Sequence, residues 1–126
     1  MTTIDLKHIY KRFGTTHVVK DLSLSIADRE FLVLLGPSGC GKTTTMRMIA
    51  GLEDASEGDL LFDGQRINDL PPQKRDVAMV FQNYGLYPHM SVHDNIAYPL
   101  KLQGMSAQDR QKQVLIAANR VGLEPF

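Results

Sequence analysis

The sequence predicts an α/β fold centred on a strand, a glycine-rich loop and a helix, with an antiparallel β region before them and further helices after them. Three observations predict it. Gly36-Pro37-Ser38-Gly39-Cys40-Gly41-Lys42-Thr43 has the form G-x-x-x-x-G-K-T, set between the apolar run 31–35 and a helical stretch 43–50 closed by Gly51. In the first thirty residues, Ile4, Leu6 and His8, and later Leu22, Leu24 and Ile26, alternate with polar neighbours, as half-buried strands do. Ser91 followed by Asp94, and Ser106 followed by Asp109, each open an amphipathic stretch in the manner of a capping box.

The loop is a phosphate-binding loop, and each residue type has its own reason to be there. A helix N-terminus offers unpaired N–H donors and a dipole worth about +0.5 charge, which suits a polyphosphate. Glycine at 36, 39 and 41 leaves backbone amides free to approach the anion and to adopt positive φ. Lys42 is placed to reach the β and γ phosphates, Thr43 to put its hydroxyl on Mg2+, and Thr44 to support the α phosphate. Pro37, Ser38 and Cys40 complete the loop, Cys40 as a small filler residue.

Composition narrows the partners. The 126 residues carry 14 Lys and Arg against 14 Asp and Glu, so no net field favours nucleic acid or an anionic membrane. One cysteine excludes an internal disulfide and suits a reducing compartment. Residues 1–30 contain no secretory h-region, and no segment has the length of a membrane span. A membrane role must therefore come through a partner.

Taken in order, Phe13-Gly14 marks a turn between the first strands, with Phe13 by itself reading as a turn-flanking core residue and Lys11-Arg12 as a solvated pair. After the loop helix comes a polar connection, then a short strand 59–62 ending in the hairpin pair Asp63-Gly64. Pro71-Pro72 precedes a second buried strand, 77–81, which ends at Gln82. From Asn83 to Met90 aromatic, Met and turn residues replace any strand or helix period, as in a loop that displays a binding surface. Val92, Ile96 and Leu100 share a helical face that Pro99 kinks or ends. The final helix turns Val114, Leu115, Ala118 and Val121 inward and stops at Gly122. The four histidines lack metal-ligand spacing and read as surface residues.

With the phosphate loop, Gly51-Leu52-Glu53, Met79-Val80-Phe81-Gln82-Asn83-Tyr84, Tyr87-Pro88-His89-Met90 and Asn95-Ile96-Ala97 in view, the chain resembles the ATP-binding subunit of ABC transporters over essentially its whole length. Within that family it is most similar to the bacterial carbohydrate-uptake importers of the maltose, glycerol 3-phosphate and multiple-sugar type. The resemblance implies a P-loop NTPase fold in three parts: an antiparallel β region at 1–30, a P-loop to Q-loop core at 31–82, and the Q-loop with the start of a helical subdomain at 83–126. It implies that Phe13 stacks on adenine with Val18 beside the ring. Gln82 becomes the Q-loop glutamine, near Mg2+ and the attacking water and acting with Lys42 in catalysis. Tyr84, Leu86, Tyr87 and His89 line the groove that receives a permease coupling helix. Homodimerisation, and a peripheral position on the cytoplasmic face of the inner membrane, follow from the same resemblance.

Two departures stand out. Arg29 occupies a position where the family usually has Gly, a strain of about 1 kcal/mol if its φ is positive. The family's signature sequence, Walker B aspartate, catalytic glutamate and switch histidine follow a segment like 121–126, and none is present in these 126 residues. The expectation is thus the N-terminal part of an importer ATPase. The alternative is a non-catalytic nucleotide-binding or permease-docking fragment.

Overall fold

A computed structural model describes residues 2–126. The chain divides into two compact units, one ending at Met79 and one spanning Val80–Phe126. The first is built on a four-stranded antiparallel sheet in the order β2-β1-β3-β4, with β1 at Ile4–Phe13, β2 at Thr16–Ile26, β3 at Glu57–Phe62 and β4 at Gln65–Arg66. Helix α1, Lys42–Ala50, belongs to the same unit.

The alternation read in the N-terminal third sets the sheet's buried face. Leu6, Ile9, Val19, Leu60, Ile67 and Met48 of α1 form the core, with Leu22, Leu24 and Ile49 packed around it. The pairing is regular from Ile4↔Ile26 to Leu6↔Leu24 and then slips, because His8 takes a positive φ of 49°. The bulge moves the buried face from Leu6 to Ile9 instead of to His8. Across from it, a Cβ on Gly58 would lie 2.3 Å from the His8 carbonyl oxygen, so the strand partner at the bulge has to be glycine. Asp63 and Gly64, at φ 49° and 77°, close the β3–β4 hairpin as a type I′ turn. The Asp63 carboxylate accepts from the Thr3 amide at 2.8 Å, which makes it a turn anchor.

Arg12 is exposed as expected, but Lys11 is not solvated. Lys11 is 7% exposed and donates to Glu53, while Arg12 pairs with Glu57. Lys11 follows Ile9 on the bulged face and so points inward, and the polar connection after α1 supplies the carboxylate that makes an inward ammonium tolerable. Arg29 does have a positive φ, 62°, in a turn closed by the Glu30 amide donating to the Ala27 carbonyl.

The apolar runs 31–35 and 77–81 were expected as strands, and neither is one. Phe31 and Leu35 are 91% and 88% exposed, and the run 31–35 makes no backbone ladder among the described residues. A near-continuous apolar run is the pattern of a parallel strand buried on both faces, and such a strand exists only when neighbours complete its hydrogen bonds. None of the described segments takes that place. An open, mostly apolar groove is left beside α1, lined by Phe31, Val33, Met46 and Ile49.

In the second unit, α2 spans Val92–Leu102 and α3 spans Ala107–Arg120. Ser91 and Ser106 cap them, accepting from the amides of Asp94 and Asp109 at 3.0 and 3.3 Å. Ala97, Val114 and Ala118 are buried between the two helices, whereas Leu115 and Val121, expected inward, are exposed. Pro99 neither ends nor breaks α2. It lies on the exposed side, and the helix runs three residues further before the Gln103 amide closes on the Pro99 carbonyl.

Candidate nucleotide-binding site

The phosphate loop owes its shape to its glycines and to Lys42. Gly39 and Gly41 have φ of 78° and 91°, angles that a side chain adopts only with strain. Gly36 is needed for a different reason: a Cβ there would sit 2.6 Å from the Cys40 sulfur. Lys42 Nζ donates to the carbonyls of Gly36 and Pro37 at 2.6 and 2.7 Å, stapling the start of the loop to the first residue of α1. Helix α1 has no side-chain cap, and its first internal bond runs from the Thr45 amide to the Gly41 carbonyl. The amides of Lys42, Thr43 and Thr44 find no acceptor among the described residues, so three donors and the positive end of a dipole are left open at the head of the helix. Thr43 is exposed and its hydroxyl is unbonded, an available hard oxygen of the kind Mg2+ accepts. Ser38 and Pro37 are exposed in the same loop.

The β1–β2 hairpin adjoins this loop through Val18. A Cβ on Gly41 would lie 2.9 Å from the Val18 carbonyl oxygen, so β2 packs directly on the residue that opens α1. Phe13 ends β1 opposite Thr16 and is 47% exposed, more open than a core residue flanking a turn. The structure thus gathers Phe13, Val18 and 36–44 in one unit.

Helix α1 is fixed from its other end by a residue that sequence reasoning missed. Gly51 ends the helix at φ 81°, and the buried Arg75 packs against it, donating to the carbonyls of Met48, Ile49, Leu70 and Asn68 at 2.7–3.2 Å. Burial lowers the Arg75 pKa, with the nearby Asp54 opposing the shift. A cation on the last carbonyls complements the helix dipole. No sequence signal marked Arg75, because its acceptors are up to 27 residues away.

In the second unit Gln82 is exposed in a turn that leads into the aromatic loop. Tyr84 is 80% exposed at φ 64°, Leu86, Tyr87 and His89 are also exposed, and the Tyr87 ring touches His89 and Tyr98. Asn95 holds this loop: its side chain accepts from the Tyr87 amide at 2.9 Å and donates to the carbonyls of Tyr87, Met90 and Ser91. Asn95 belonged to a recognised motif, but its part in the loop depends on partners that the motif does not name. Replacing it with alanine should loosen 84–90 while leaving the helices folded. Amide exchange across Gly85–Tyr87 is then expected to rise about tenfold or more, since the bond that holds the Tyr87 amide, about 1.4 kcal/mol, is lost together with the three to the loop carbonyls; unchanged exchange would rule the anchor out.

A phosphate loop at the head of a helix, with an antiparallel sheet packed on its first residue, defines a nucleotide-binding domain. The family model described as ABC transporter matches residues 19–126, and the chain belongs to that family. It is 54% identical over 98% of its length to the ABC transporter ATP-binding protein YurJ of Bacillus subtilis, and 53% identical over 100% to the oligosaccharides import ATP-binding protein MsmX of the same organism. It spans about a third of those relatives, 34% and 35% of their lengths. Among solved structures, the dimeric, post-hydrolysis ATP-binding cassette MJ0796 bound to ADP and Pi superposes with a TM-score of 0.81 at 29% identity, covering 92% of this chain and 56% of that one. The α/β cassette fold expected from the sequence is therefore present. No helix of the described residues is long and apolar enough to cross a membrane.

Proposed function

We propose that this chain is the nucleotide-binding and permease-facing part of a sugar-importer ATPase, in which ATP binding and hydrolysis are coupled to solute uptake. The observation that carries the proposal is the set of free amides of residues 42–44 at the head of α1, with the Lys42 ammonium held in the same loop and the partly exposed Phe13 in the same unit. Oligosaccharide import, the role for which MsmX is named, supports the sugar class.

In this reading the triphosphate lies along the loop, its charge met by amide donors, the α1 dipole and Lys42. Phe13 and Val18 receive the adenine. Thr43 is the side chain of this unit that would offer Mg2+ an oxygen, and the ion when bound neutralises phosphate charge as it develops; Gln82 keeps the Q-loop part that the family resemblance implies. Gln82 opens the loop that displays Tyr84, Leu86, Tyr87 and His89 to a permease helix. The three parts at 1–30, 31–82 and 83–126 then divide the work into base recognition, phosphate binding and docking. Docking would hold the subunit at the cytoplasmic face of the membrane, and the dimeric state of the MJ0796 cassette supports a paired arrangement.

Calorimetric titration of the folded chain with Mg-ATP tests the reading, and absence of binding would sink it. Phe13→Ala should weaken ATP by about 1 kcal/mol, on the scale of one ring contact, while leaving inorganic triphosphate unchanged. Equal losses for both ligands would remove Phe13 from the site.

A further inference from the structure

Lys11 places a charge at the end of a core face. Ile9 and Lys11 are buried along β1 and Phe13 closes the strand beyond them. Its ammonium donates to Glu53 Oε1 at 2.7 Å and to the Asp54 carbonyl at 2.6 Å, and it stands 4.8 Å from the centroid of the Phe13 ring. An ammonium has three donors, and two of them end on these oxygens. The electron-rich face of the ring takes the remaining side of the charge.

The Glu53 side of the pair is held as a carboxylate. The hydrogen bond from Lys11, first of all, holds the Glu53 carboxyl below its ordinary range. The lysine is fixed from the segment after α1, more than forty residues away in sequence, so the ring it covers is tied to the helix that carries the phosphate loop. A phenyl ring at a hairpin end otherwise has free rotation about two side-chain torsions, and each must be frozen before a base can stack on it.

We propose that Lys11 is a positioning residue for base recognition: anchored by Glu53 and Asp54, it covers one face of Phe13, fixes the ring and leaves the opposite face for the base. This rests on the reading of Phe13 as the stacking residue. The cation also draws electron density from the ring, which favours an electron-rich purine on the far side.

The test compares ATP with inorganic triphosphate on the same chain. Lys11→Met keeps the apolar stem and removes the charge; it should weaken ATP about fivefold, the scale of one ring contact, and leave triphosphate unchanged. Lys11→Arg should restore most of the loss. A merely structural lysine would weaken both ligands alike, and that result, or unchanged ATP affinity, would overturn the proposal. Phe13→Ala measured alongside separates the two readings. If it shows a base-specific loss and Lys11→Met does not, positioning by Lys11 fails alone; if neither shows one, the stacking reading fails and takes the proposal with it. In the unaltered chain, the Lys11 ε-methylene resonance should move on adding ATP and stay in place with triphosphate. Identical responses to the two ligands would again overturn it.

Discussion

Lys42→Ala is expected to weaken Mg-ATP binding on the order of a hundredfold, about 2.7 kcal/mol, the size of a charge-assisted contact to phosphate. Two losses combine. The ammonium no longer meets the phosphates, and the staple onto the Gly36 and Pro37 carbonyls disappears, so the loop must be ordered by the ligand itself. Lys42→Arg separates the two, since a guanidinium keeps the charge but not the compact geometry that fits two carbonyls at one turn of loop. Its affinity should fall between those of the wild type and the alanine variant. Calorimetry on protein shown to be folded by circular dichroism is the measurement, and equal affinity with and without Lys42 would dismiss the phosphate-loop assignment.

Arg75→Met should destabilise the first unit by about 3 kcal/mol or more, because it strips the donor from four carbonyls and leaves a buried, partly filled space. The guanidinium also lies where Gly51 turns the chain, and a Cβ on Gly51 would be 2.6 Å from Arg75 Nε, so the two residues form one fitted joint. Gly51→Ala is therefore expected to act through the same joint, and the double variant to lose less than the sum of the singles. Urea denaturation followed by helix signal decides it. Additive losses would mean that Arg75 and Gly51 act independently.

Elements governed by short-range chemistry were legible in the sequence. The caps at Ser91 and Ser106, the Asp63-Gly64 turn and the glycine conformations of the loop each depend on residues within four positions of one another. The alternation 22–26 revealed its strand because one face is buried and the other wet. What was not legible depends on distant neighbours. Lys11 reads as solvated until Glu53 is brought to it, and nothing marks Arg75 until the end of α1 arrives beside it. The runs 31–35 and 77–81 failed as strands for the same reason: their apolar content was read correctly, but a strand is a relation between segments. Val114 and Ala118 were placed correctly on the inner face of α3, whereas Leu115 and Val121 lie on a stripe that only a further packing partner would cover.

The exposed ribbon 31–35 bears on how such a protein is made. The antiparallel sheet closes from strands that precede and follow it in the chain, so this unit can assemble without the ribbon. The ribbon, with five apolar residues, no charge and no proline, has the make-up of a segment that pairs readily with another strand. While it faces water, chaperone capture competes with pairing between two copies. Expression yield should accordingly respond more to holdase levels and growth temperature than to the stability of the sheet beside it.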